Sequence, residues 1–159
     1  MRPAADDVDR IMAVMACAFD PEFGEAWTRR QVEDALLLGQ CHYLLAGPDG
    51  DPAAPDAPPE TTAGFALTRS TLDEEELLLF AVTPQSRRRG IGDRLLTRFA
   101  AEARARGAAR LLLEMRRGNT AESLYRRHGF LPIGMRPNYY RTLTGARLDA
   151  ITFARSFDD

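Results

Sequence analysis

Two places in this sequence carry residue types that could do chemistry. The first is Arg87-Arg88-Arg89-Gly90-Ile91-Gly92-Asp93, which lies between an apolar run and a segment with helical spacing. A glycine turn feeding a helix start can bind an anion. The first N–H groups of a helix lack internal partners, and its dipole places partial positive charge there. Glycines at 90 and 92 let an anion approach the amides with no Cβ in the way, and three arginines add charge suited to a diphosphate. The competing reading is a solvated arginine run before an ordinary helix. The stretch is neither a GxxxxGK[ST] loop nor a complete GxGxxG fingerprint, which argues against a nucleoside triphosphate or a dinucleotide. The second place is Glu114, the one charge closing the apolar run Leu111-Leu112-Leu113. A carboxylate in a buried strand must be paired or face a cavity; the alternative is an exposed strand end.

The whole chain has no bias that would explain the arginines globally. It has 159 residues and a net charge of -2, with 45% hydrophobic and 28% charged residues, and its pI is near 5.7. Those values suit one compact soluble domain and give no sign of a nucleic-acid binder. Cys17 and Cys41 form no CxxC pair, and with His42 and His128 they make no zinc pattern. No apolar run is long enough to span a bilayer, and "MRPAADDVDRIMAVMACAF" has no signal-peptide character. The expectation is a cytoplasmic protein with no metal and no membrane association.

The elements that must position these residues follow from periodicity. Val8, Ile11, Met12, Met15 and Phe19 predict an amphipathic helix over 6–19, with acidic residues in its first turn. After a break at Pro21 and Gly24, Thr28 and Gln31 form a capping-box pattern for a short helix through Leu37, ended by Gly39. Strands are predicted at Cys41–Ala46, 62–70 and Glu74–Val82, the last covered on both faces. Between the first two, Gly47–Glu60 is proline-rich and is expected to be a mobile hairpin loop that neither packs nor pairs. A helix over 91–106 buries Leu95, Leu96, Phe99, Ala100 and Ala103. It is followed by a strand over 109–115. Asn119 and Glu122 read as a capping box for a helix over 120–128. The chain ends with a strand over 130–135, a long turn over 136–147 and a strand over 148–157. Helices first, then strands, then alternation, predict an α/β or α+β domain with a mixed sheet.

Several motifs occur together in a fixed order. Val82–Gly92 resembles the [RQ]xxGx[GA] element of the GNAT superfamily of N-acetyltransferases, matched by Arg87, Gly90 and Gly92. "SLYRRHGF" (123–130) is similar to the later LYxxxGF element. "LLLEMR" and "RPNYY" resemble the RimI-type N-terminal acetyltransferases in particular. The resemblance covers most of the chain after Leu72 and implies a single domain over 1–159, with a twisted, mostly antiparallel mixed sheet flanked by helices. It implies acetyl-CoA as cosubstrate, with its pyrophosphate on Arg87, Arg88, Arg89, Gly90, Ile91, Gly92 and Asp93. Phe80, Ala81 and Val82 would offer strand backbone to the pantetheine and acetyl group.

The implied reaction is direct acetyl transfer to an amine, which needs a neutral nitrogen and a proton for the departing thiolate. An α-amino group ionises near about 8 and lysine near about 10.4, so an N-terminal amine needs modest help. The resemblance makes Glu114 the base, acting directly or through water. It makes Tyr125, otherwise read as a core tyrosine, the acid, and it adds Glu76 as a second carboxylate and Tyr139 as lining for a peptide channel. The turn before the LYxxxGF helix is one residue shorter than in the family. Either Gly118 or Asn119 therefore falls where the family has a CoA-contacting asparagine, and Asn119 serves equally as a helix cap. The implied acceptor is the N-terminal alanine of a small-subunit ribosomal protein. A small-molecule amine or lysine is the rival acceptor, and a CoA-binding module without catalysis is the third reading.

Overall fold

The computed structural model describes residues 5–157. The chain opens with α1 (Ala5–Ala18), a 3-10 turn (Pro21–Phe23) and α2 (Arg29–Leu37). The capping box of α2 is formed as the sequence predicts. Thr28 accepts from Gln31 N–H at 3.2 Å, and the Gln31 side chain accepts from Thr28 N–H at 2.8 Å. Strands β1 (Cys41–Ala46), β2 (Gly64–Thr71) and β3 (Glu74–Val82) make an antiparallel meander. Then come α3 (Ile91–Ala105), β4 (Arg110–Arg116), α4 (Glu122–Arg127), β5 (Leu131–Arg141) and β6 (Arg147–Ser156). The six strands form one sheet in the order β1-β2-β3-β4-β6-β5, in which only β3 and β4 run parallel.

Each face of the sheet buries a separate apolar layer. α1 and α2 bring Val8, Ile11, Val14, Met15, Val32 and Leu36 onto Phe65, Leu67, Leu79 and Ala81. α3 brings Ile91, Leu95, Leu96, Phe99 and Ala103 onto Ala66, Leu77, Leu111, Leu113, Met115 and Phe153. β3 feeds both layers, and an irregularity in its pairing at Leu67/Thr68, which skips Leu78, puts Leu77 in the α3 layer and Leu79 and Ala81 in the α1/α2 layer.

Two expectations need correction. The segment 47–60 is not left unpaired. Proline lacks an N–H but keeps its carbonyl, so buried Arg10 can donate to Pro55 O at 2.8 Å and Ala57 O at 2.6 Å. Arg94 donates to Asp49 O at 2.8 Å and pairs with Asp51, and Ala46 bridges Pro52. Residues 136–141 are strand, not turn. β5 continues past a bulge between Arg136 and Tyr140, where Asn138 takes φ +55, and pairs with β6 again through Arg141–Arg147. The bulge breaks the period-2 pattern, which is why these residues read as a turn.

A polar cluster closes the sheet at the start of β3. Glu75, 1% exposed, accepts from Thr68 at 2.7 Å, from Ser70 at 3.0 Å and from Arg106 of the α3 C-cap at 3.0 and 2.6 Å. Burial alone would raise its carboxyl, but the bonds from Arg106, Thr68 and Ser70 together hold it below the ordinary value.

Candidate active site

The site follows from how β3 and β4 part. They pair from Glu74–Arg110 to Leu77–Leu113 and no further. Beyond that point β3 is still held by β2, but its other edge has no strand partner. Unpaired strand N–H and C=O groups need a partner, and an extended polar chain can supply one. The cleft opens into a cavity of about 670 Å³. Phe80, Ala81 and Val82 form one arm and Arg116, Gly118 and Asn119 the other, while Ser123, Leu124 and Tyr125 of α4 and the loop before α3 complete the lining.

The loop before α3 has the geometry of an anion cradle. Arg88 (φ +65) and Gly90 (φ +77) are both left-handed, and Gly90 is the N-cap of α3, with no side chain capping that helix start. The amides of Ile91, Gly92 and Asp93 therefore lack intrahelical partners. Holding Arg88 left-handed costs about 1–3 kcal/mol, a cost typical of loops shaped for binding. Gly92 is needed for a different reason. A Cβ there would meet Leu124 Cδ2 at 3.0 Å and Phe80 Cζ at 3.4 Å, so it would press the start of α3 against two cavity walls.

The arginines divide by task. Arg87 donates to Ala18 O at 3.0 Å and Val82 O at 3.3 Å, tying the end of α1 to β3. Arg88 lines the cavity with its guanidinium unpartnered among the described residues. Arg89 does not line it. Arg127, which sequence patterning did not single out, does. Asp93 would repel an anion, but it is paired. His128 at 2.9 Å, and Arg127 at 3.2 Å, hold its carboxyl below the ordinary range against some burial.

Tyr125 is 6% exposed and lines the cavity, with Phe80 and Phe130 against its ring. Burial, and then the charge of Glu25, push its phenol well above the usual range, so it stays protonated at neutral pH. Asn119 lines the cavity too, and its side chain accepts from Ala121 N–H at 2.8 Å. The expected capping box does not form: Glu122 turns to Arg126 at 2.9 Å, and α4 begins without a side-chain cap.

The other proposed residues lie outside the cavity lining. Glu114 points to the α1/α2 side of β4 with Arg136 3.4 Å away. Glu76 is on the paired half of β3, bonded to Arg69 at 3.0 Å. Tyr139 is half exposed, edge-on to Tyr140 at 5.2 Å. Besides Arg127, sequence reasoning missed Glu25, which also lines the cavity. Its segment, "DPEFGEA", has no periodicity or motif to mark it.

A mixed sheet with one parallel pair that splays open, and an uncapped helix N-terminus at the opening, form a cleft with room for an extended ligand and free amides for an anionic group. The family model for the acetyltransferase (GNAT) domain matches residues 52–132, and the chain belongs to this family. Within it, the chain is 44% identical over 93 residues to the ribosomal protein bS18-alanine N-acetyltransferase of Escherichia coli K12, covering 58% of this chain and 62% of that protein. It is 35% identical over 91 residues to the Haemophilus influenzae protein of the same name, covering 57% and 62%. The matched part thus spans less than two thirds of these curated relatives. The crystal structure of the Escherichia coli enzyme superposes with a TM-score of 0.80 at 28% identity, covering 100% of this chain and 93% of that one. Among the described residues no helix is long and apolar enough to cross a membrane, and no group of three or more His, Cys, Asp or Glu could hold a metal ion.

Proposed function

We propose that this protein transfers acetyl from acetyl-CoA directly to the N-terminal amine of a protein beginning with alanine, a small-subunit ribosomal protein being the acceptor class. The observation that carries the reading is the meeting of three features in one cavity: the open edge of β3, the uncapped start of α3 and the buried Tyr125. The donor's pyrophosphate fits the amides of residues 88–93, with Arg88 and Arg127 as neighbouring charges. Its extended amide-bearing arm fits the free edge of Phe80–Val82. The protonated Tyr125 then supplies the proton that the sulfur needs as its bond to the acetyl carbon breaks. Glu114 accepts a proton from the acceptor nitrogen through water. The names of the relatives support alanine as the acceptor residue.

The test is incubation of the purified chain with acetyl-CoA and peptides starting with alanine, against free polyamines and lysine-bearing peptides with blocked N-termini. The expected product is the N-terminally acetylated alanine peptide, read by mass spectrometry. Acetylation of small amines with none on any peptide would overturn the acceptor class. Glu114→Gln is expected to lower turnover at neutral pH by about 10²-fold, the low end for a general base; unchanged turnover removes that assignment.

The cradle gives a separate expectation. Arg88→Ala removes an exposed charge and should weaken acetyl-CoA binding only a few-fold, roughly the worth of a surface ion pair. Gly92→Leu forces Leu124 and Phe80 apart and displaces the helix amides, so it should cost more than about tenfold. Titration calorimetry with CoA ranks the two variants. The reverse order would mean that charge, not backbone geometry, dominates the cradle.

A further inference from the structure

The segment between α1 and α2 brings an additional carboxylate, Glu25, to the cavity wall. Asp20 caps the turn Pro21–Phe23, Gly24 reverses the chain at φ +61, and Leu143 N–H donates to Glu22 O at 3.0 Å. The segment is thus pinned to the β5–β6 turn. Phe23 lies under the Arg116 guanidinium, 3.6 Å from Cζ to ring centroid. Arg116 Nε reaches Glu25 Oε1 at a long 3.4 Å, with both side chains less than one fifth exposed. Glu25 Oε2 has no partner among the described residues, although the carboxylate lines the cavity beside Tyr125.

That arrangement is an incomplete ion pair. Glu75, 1% exposed, takes four bonds from neighbouring side chains. Glu25, with its side chain 18% exposed, has one long contact on Oε1 and keeps Oε2 accessible from the cavity. Burial raises its carboxyl, opposed by Arg116 and aided by Asp20, which fits a group short of donors. The groups whose charge it feels or perturbs are Arg116 on β4, Asp20 on its own segment, Tyr125 on α4 and Tyr140 on β5. Glu114, by contrast, is engaged by Arg136 outside the cavity lining.

We infer that Glu25 is the binding site for the acceptor's ammonium group, its free Oε2 taking the cationic amine on the cavity wall it shares with Tyr125 while Arg116 and Phe23 hold the carboxylate in place. The inference rests on the acetyl-transfer reading for the identity of the amine, but not for the site itself. A cation entering the cavity can take the accessible Oε2 while Arg116 stays on Oε1, and a charge-assisted hydrogen bond is strong enough to influence amine affinity. Glu25 selects and positions the acceptor, and Glu114 and Tyr125 remain the proton-transfer groups. The acceptor specificity of the enzyme therefore depends in part on a segment outside every motif in the sequence.

Binding and turnover separate the two readings. The protein loaded with CoA is titrated with an alanine-start peptide, the same peptide already N-acetylated, and a small primary amine. The wild type is expected to prefer the free amines over the acetylated peptide, and Glu25→Gln to lose about 10- to 100-fold in amine affinity with CoA affinity unchanged. Glu25→Asp should recover part of the loss. In turnover, Glu25→Gln should raise the acceptor KM more than it lowers kcat. That defect should shrink as pH rises through about 8, where an α-amino group loses its charge; a merely structural role would leave it constant with pH. Amine binding that depends on Glu25, without any acetyl transfer, would sink the transferase reading and leave the site standing. Equal amine affinity in wild type and Glu25→Gln, or no preference of the wild type for free amines, would overturn the site.

Discussion

Tyr125→Phe should lower kcat by about 10²–10⁴-fold while leaving acetyl-CoA affinity near the wild-type value. That range is typical for loss of a positioned general acid. The substitution removes one oxygen and keeps the ring, so the packing against Phe80 and Phe130 survives and the cavity wall stays in place. Little stability should be lost, because the ring rather than the hydroxyl fills the α4 side of the core. The pH profile adds a second readout. Burial and the neighbouring Glu25 charge hold the phenol above its usual range, so Tyr125 is protonated throughout the neutral and mildly alkaline region. The wild-type rate should therefore show no alkaline fall attributable to Tyr125 below pH about 10. Steady-state kinetics with the acceptor saturating, together with CoA calorimetry, check both points. A Phe variant with wild-type kcat would assign the thiolate's proton to another donor.

Glu75→Ala should have the largest effect on stability, about 3 kcal/mol. Removing one member of a buried ion pair costs about 3–5 kcal/mol because the other charge stays behind. The low end applies because Arg106 is 31% exposed and also lies near Glu102 at 3.8 Å. For a chain of this size that loss lowers Tm by about 6–12 °C. The sign with pH follows from the depressed carboxyl. Its contribution is complete above the unfolded-state pKa, near 4.5, and disappears as pH falls through the lower folded-state value. The gap in stability between wild type and variant should thus be widest near neutrality and narrow below pH about 4. Urea titrations at the two pH values measure it, and a gap independent of pH would mean that the bonds from Thr68 and Ser70, not the charge, dominate.

Much of this protein was legible in the order of its residues. The α3 stripe, the capping box at Thr28 and the β1–β3 meander follow from local periodicity and turn chemistry, which act over a few residues. By local sequence Gly90 and Gly92 fit either an anion cradle or an ordinary helix start; the structure gives Gly90 a left-handed N-cap and brings Gly92 close to Leu124 and Phe80. Local rules failed where the backbone departs from a simple period or a side chain serves a distant partner. The bulge at Asn138 hid half of β5, and Arg10 and Arg94 tie down a segment whose own composition offers no packing. Asn119 kept its turn, but Glu122 chose Arg126 over the helix start.

The sequence by itself determined the class of fold, and its resemblance to the GNAT motifs marked the glycine turn, Tyr125 and Glu114 as the residues to examine. Those signals are carried by neighbours along the chain. Only the tertiary structure decided which of them meet. The parting of β3 from β4 after Leu77 creates the cavity, Tyr125 enters it from α4, and Glu114 faces Arg136 instead. Arg127 and Glu25 join from opposite ends of the chain. Such meetings depend on strand order and on which edge is left unpaired, properties of the whole sheet that no window of sequence contains.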